Sequence, residues 1–215
     1  DVDISAGEVL TIGATANNTA TATATNASGD SSAQAYLNES VGLQGTGVSA
    51  GSSGTITANV DGDAIASATT VGTTGATANA TAASTAGSVI GIDDVGSAAV
   101  VGGEFIFGTT ADITTNVGTA ADRVTVSATA ATTTGNADAN ALLTSNIGIS
   151  ETGDGQIQVG TSGTIAAGAF NTTNASATTV TGTADADATI TNASGIDMAT
   201  GASLITGQAA TVSGT

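Results

Sequence analysis

From Ala76 to Ala82 the chain reads A-T-A-N-A-T-A, and V-I-G-I-D follows at Val89 to Asp93. Strict alternation of a small apolar residue with a polar one has a period of two, the period of a β-strand with one buried face. The pair of features recurs. Ala33, Ala35 and Leu37 precede V-G-L at Val41 to Leu43; Ala137, Ala139 and Ala141 precede I-G-I at Ile147 to Ile149; Ala184, Ala186 and Ala188 precede S-G-I at Ser194 to Ile196. These steps set anchors at Gly42, Gly91, Gly148 and Gly195, and a second set runs in phase with them: Ile12 in T-I-G-A, Ile56 in T-I-T-A, Ile106 in F-I-F-G and Ile165 in T-I-A-A.

Two anchors in the same order four times define a repeat of roughly 50 residues. The approximate units are 11–54, 55–104, 105–163 and 164–215, with 1–10 a partial unit in phase with the C-terminal end. Each unit reads as short strands separated by glycine-bearing turns, such as Thr73-Thr74-Gly75 and Thr133-Thr134-Gly135, where glycine supplies a positive φ without steric cost. Alanine favours helices, but no apolar residues recur at i, i+3, i+4 and i+7, and Thr, Asn and Gly interrupt every candidate segment. The expected fold is therefore all-β, a β-solenoid of about four repeats in which each coil pairs its backbone with the next. Its inward ladders would carry alanines and, at the anchors, Ile12, Ile56, Ile92, Phe105, Phe107, Ile149, Ile165 and Ile196. An antiparallel β-sandwich is the alternative, because the T-T-G turns could also close hairpins. The number of strands per coil and the handedness stay open.

Composition changes the picture mainly by exclusion. The 215 residues carry one Lys or Arg, 18 Asp and Glu and no His, for a formal net charge of -17. Arg123, the single cation, cannot neutralise a row of phosphates, which excludes nucleic acid and electrostatic binding to anionic membranes. Disorder is opposed by the absence of proline, a mean hydropathy of +0.27 and polar residues held in register with apolar ones. With no cysteine there are no disulfides or thiolate metal sites, and no run of 18 apolar residues spans a membrane. A chain that opens on Asp1 without a leader reads as a mature chain or an excised segment. A trypsin-like protease has one place to cut, which suits an exposed extracellular protein.

The ionic features that could carry chemistry are the acidic pairs Asp61 and Asp63, Asp93 and Asp94, Asp185 and Asp187, and Glu151 with Asp154. Calcium takes several oxygen ligands of this kind, so these are the candidate calcium positions, with solvated acidic turns as the plainer reading. Nothing sets two carboxylates across a cleft in divergent environments, so no catalytic residue and no enzyme is expected, and no cofactor other than calcium. The Thr19 to Thr25 ladder suggests an ice-ordering face, but the other copies place Asp, Asn, Ser and Val at comparable positions. Asn-x-Ser/Thr glycosylation sequons fall at Asn17, Asn26, Asn38, Asn79, Asn171, Asn174 and Asn192.

The Ala-x-Ala strands, T-T-G turns and G-I steps together resemble the repetitive regions of large bacterial surface proteins, the filamentous-haemagglutinin-like and autotransporter-type adhesins. The resemblance implies secretion, a β-solenoid and a role in adhesion or an extracellular fibre, and it carries over no functional residue. The first functional expectation is a non-catalytic structural segment of a cell-surface fibre, with other copies of itself, head to tail, or adjoining repeats of a longer chain as its partners. The second is an adhesin module binding a glycan or another surface, with Tyr36 and Phe170 as the visible aromatic candidates. A calcium-stiffened spacer is the third.

Overall fold

The computed structural model describes residues 2–4, 9–45, 47–50, 53–71, 75–84, 89–95, 104–107, 110–152, 156–159, 162–200, 202–206 and 209–215. These residues form strands and turns, with no helix among them. In chain order the strands are β1 (Val2–Ile4), β2 (Val9–Asn26), β3 (Ser31–Leu37) and β4 (Ser40–Gly45); β5 (Gly47–Ala50), β6 (Ser53–Thr70), β7 (Ala78–Ser84) and β8 (Val89–Val95); β9 (Glu104–Phe107), β10 (Thr110–Val117), β11 (Val124–Thr134) and β12 (Ala137–Thr152); β13 (Gln156–Val159), β14 (Ser162–Ala169), β15 (Asn171–Thr181) and β16 (Ala184–Met198); and β17 (Ser203–Thr206) and β18 (Ala209–Gly214).

They make three sheets, which the chain visits in the same order on each pass. One sheet runs β1-β5-β9-β13-β17; a second holds β2, β6, β10, β11, β14, β15 and β18; the third holds β3, β4, β7, β8, β12 and β16. Val9 lies beside Ser53, Ser53 beside Thr110, Thr110 beside Ser162 and Ser162 beside Ala209. Every pairing among the described residues is parallel. Hairpins give antiparallel pairs, so the antiparallel sandwich is excluded there. The T-I-x-A segment and the alternating segment after it are one continuous strand in β2 and β6, but two strands on the third and fourth passes.

Alternation places the alanines inward and in register. Ala33, Ala80, Ala139 and Ala186 form one row, and Ala35, Ala82, Ala141 and Ala188 the next. On the opposite sheet Ala22, Ala66, Ala128 and Ala175 form another. Apart from Ala186 and Ala188, which are exposed on β16, these rows pack into one core cluster together with Leu37, Val60, Val89, Val117, Val124, Val126 and Leu143. A second cluster joins Ile12, Ile56, Ile113 and Ile165 to Leu43, Ile92, Ile149 and Ile196. Ile113, not Ile106, therefore stands in the isoleucine ladder. Ile106 belongs to β9 in the first sheet, beside Ser49 and Gln158. The side chains of Phe105 and Phe107, expected in the ladders, lie outside the described residues.

Glycine sets how closely the sheets approach. A Cβ on Gly42 would meet the Gly91 carbonyl oxygen at 2.7 Å and Val60 Cγ2 at 2.9 Å. Gly91, Gly148 and Gly195 are crowded in the same way by the next carbonyl or by Thr115 and Ala167 of the facing sheet. The G-I step thus lets backbone pass where even one methyl would not fit. At the turn between the second and third sheets Gly75 and Gly135 have φ of 81° and 122°, the positive values expected of the T-T-G turns. Gly135 N–H donates to the Thr181 carbonyl at 2.8 Å, so the turns also bond from pass to pass.

Two stability measurements test this packing. Ala78 is fully buried in the row Ser31, Ala78, Ala137 and Ala184. Ala78→Phe should cost at least about 1–3 kcal/mol by overpacking, read as a lowered midpoint in urea; an unchanged midpoint would contradict the row. Asn146 is fully buried, and neither its Oδ1 nor its Nδ2 reaches a protein partner, while its neighbours in register are Val89 and Ala193. Asn146→Val should stabilise the chain by about 1–3 kcal/mol, the cost of an unmet buried amide, which thermal melts would report.

Candidate functional site

The regular ladder is broken at one described place. Val60 of β6 sits beside Val117, and Asp63 of the same strand beside Thr125, so the third pass carries five residues more than β6 between those points. On the fourth pass Ala169 and Asn171 lie beside Val117 and Val124, separated by Phe170 alone. The extra residues make a compact loop from Gly118 to Arg123. Gly118 enters with φ of 66° and donates its N–H to the Val60 carbonyl at 2.7 Å. The Thr119 backbone N–H donates to the Asp122 carbonyl, and the Asp122 N–H to Thr119 Oγ1 at 2.8 Å. Arg123 leans away onto the next pass, 5.8 Å from the centre of the Phe170 ring, with Nη1 donating to the Asn171 carbonyl at 3.3 Å.

Between this loop and strands β2 and β6 lies a cleft of about 260 Å³. Ala16 and Val60 give it apolar surface, and Asn17, Asn59, Asp61, Asn116, Thr119 and Asp122 give it polar groups. Asn116 Nδ2 donates to Asn59 Oδ1 at 3.0 Å, which ties adjacent passes together and orients both amides. Asp61 Oδ1 accepts the Gly62 N–H at 2.9 Å. Burial pushes the Asp61 carboxyl above its ordinary value, and the negative charges of Asp63 and Asp122 push the same way against that hydrogen bond. A smaller cleft of about 140 Å³ opens beside Asn116, against Thr115 and Phe170.

Two of the other acidic residues named from sequence, Asp63 and Asp93, act as ties between passes. Asp63 Oδ1 accepts the Thr125 N–H at 2.9 Å, and Asp93 Oδ2 accepts from Gln44 Nε2 at 3.0 Å. Asp185 and Asp187 are exposed on β16, where Thr189 Oγ1 donates to Asp187 Oδ1 at 3.2 Å. Asp94 pairs in register with Gly45 and Glu151, and Glu151 is buried. Asp154 lies outside the described residues. Among the described residues no three carboxylates gather into a cation-sized group. Asp30, not singled out in sequence, makes the same kind of tie by accepting the Thr77 N–H at 2.7 Å.

Of the sequons, Asn17, Asn38, Asn79 and Asn174 are exposed. Asn26 folds onto its own turn, donating to the Asp30 carbonyl at 2.8 Å, and Asn192 Nδ2 donates to Asp197 Oδ2 at 2.9 Å. Asn171 is half-buried at the start of β15. Tyr36 is exposed on β3, in the third sheet on the first pass, whereas Phe170 lies between β14 and β15 of the second sheet on the fourth, so the two aromatic candidates belong to different sheets and passes. Thr19, Thr21, Thr23 and Thr25 lie beside Asp63, Ile65, Ser67 and Thr69, which interrupts the threonine row.

The sign of the Asp61 shift gives a pH test. An acid whose folded pKa is raised holds its proton more tightly in the folded chain, so stability falls as pH rises from the unfolded value near 3.8 through the raised folded value. Asp61→Asn keeps the oxygen that accepts from Gly62 and should raise the melting temperature at neutral pH while flattening that acid window. A steeper window in the variant would reverse the sign. No protein-family model matches the chain, and no curated protein or solved structure matches it either.

Proposed function

We propose that the chain is a non-catalytic structural repeat protein, a β-solenoid of about four 50-residue units that serves as a segment of an extracellular or cell-surface fibre. The observation that carries the reading is the state of the outermost strands. Among the described residues β2 pairs only with β6, β15 only with β11 and β16 only with β12. Ala184, Ala186 and Ala188 are exposed on β16, although Ala137, Ala139 and Ala141 beside them are buried. These strands offer the same backbone edge and the same alanine rows that bind one pass to the next, and no lysine or proline guards them. The partner is a further set of passes, from adjoining repeats or from another copy, head to tail. The acidic, hydroxyl-rich exterior keeps such a fibre dissolved, and a single Arg leaves a trypsin-like protease one place to cut.

Negative-stain microscopy of the purified chain should show rods that lengthen with concentration. Ala186→Lys places a charge on the exposed edge and should abolish the lengthening while leaving the melting temperature unchanged. A wild-type chain that stays monomeric at high concentration would overturn stacking between copies.

A further inference from the structure

We infer that the cleft beneath the Gly118–Arg123 loop is a binding site for a neutral pyranose, the terminal sugar of a glycan. The site is built by an interruption of the repeat, and in repeat folds such insertions gather on the face that binds. Its groups come from three passes: Asn17 from the first, Asn59 and Asp61 from the second, and Asn116, Thr119 and Asp122 from the third. No single unit could form it.

The chemistry of the lining selects the ligand. Asp61 and Asp122 are acceptors for hydroxyl donors, and hydrogen bonds to carboxylates are the stronger kind. The Asn59–Asn116 bond leaves one N–H of the Asn116 amide, both N–H groups of Asn59 and the amide of Asn17 to donate, and Asn116 Oδ1 to accept. A ring bearing several hydroxyls both gives and takes such bonds, and its C–H face can lie against Ala16 and Val60. The volume of about 260 Å³ accommodates one ring rather than an extended chain. Anionic sugars are disfavoured by the two carboxylates, because the only cation nearby, Arg123, is engaged with Phe170 and Asn171. Tyr36 has no part in this site, which also does not depend on stacking.

The test is saturation-transfer and amide-shift NMR on the whole 215-residue chain with the methyl glycosides of glucose, galactose, mannose and N-acetylglucosamine, and with sialic acid. At least one neutral glycoside should bind and shift the amides of Asn116 and Thr119, while sialic acid should not. Asp122→Ala, in an exposed loop, should weaken binding about tenfold or more with an unchanged melting temperature. Asn116→Ala should also weaken binding, and Thr129→Ala, on the outer face of β11, should leave binding intact. Binding by none of the glycosides, binding that survives both cleft substitutions, or amide shifts produced by calcium chloride alone would each overturn the assignment.

Discussion

The distance between the second and third sheets is the constraint from which the rest follows. Where Gly42 and its equivalents pass Val60, Thr115 and Ala167, the space does not admit a methyl group, and elsewhere across the core it admits little more than alanine. Burying one methyl contributes only about 0.8 kcal/mol, so no single side chain anchors such an interior. Stability has to come from many small contacts repeated in register and from backbone hydrogen bonds running between passes. That explains a chain with 2% aromatic residues, no tryptophan and 30 glycines that still forms an ordered core.

The strand content and the alanine register were legible because a period of two survives in every pass and because the G-I step is a rare local pattern. Gly42, Gly91, Gly148 and Gly195 do stack, as their spacing implies. The isoleucine anchor was legible in three passes and misread in the third. There Thr115 occupies the place that Ala58 and Ala167 hold elsewhere, while F-I-F-G at Phe105 to Gly108 imitates the pattern. The cleft could not be found by reading along the chain. Asn59, Asn116 and Asp122 look like ordinary turn and strand residues, and only the parallel pairing brings them side by side. The five extra residues were visible as extra length in the third unit, but nothing in G-T-A-A-D distinguishes a cleft wall from a longer turn.

The acidic residues illustrate how local composition misleads about chemistry. Grouped by sequence they suggest cation sites, yet the structure spends Asp30, Asp63 and Asp93 on backbone or amide donors of a neighbouring pass. In a stack of parallel strands, an outward side chain has its nearest polar company above and below rather than along its own strand. A carboxylate there acts as a stitch between passes, and its sequence neighbours point elsewhere.

Register has one more consequence. Thr125 lies beside Thr172, and each residue after it lies beside its counterpart through Thr132 and Thr179. Joining Val124 directly to Thr172 would remove one whole circuit and return the chain to the same place on the same face. Every inward row would lose one member, and each would keep its neighbours' kind. Length is therefore a variable separate from sequence chemistry, adjustable in whole steps by deletion or duplication at equivalent positions without redesigning the interior.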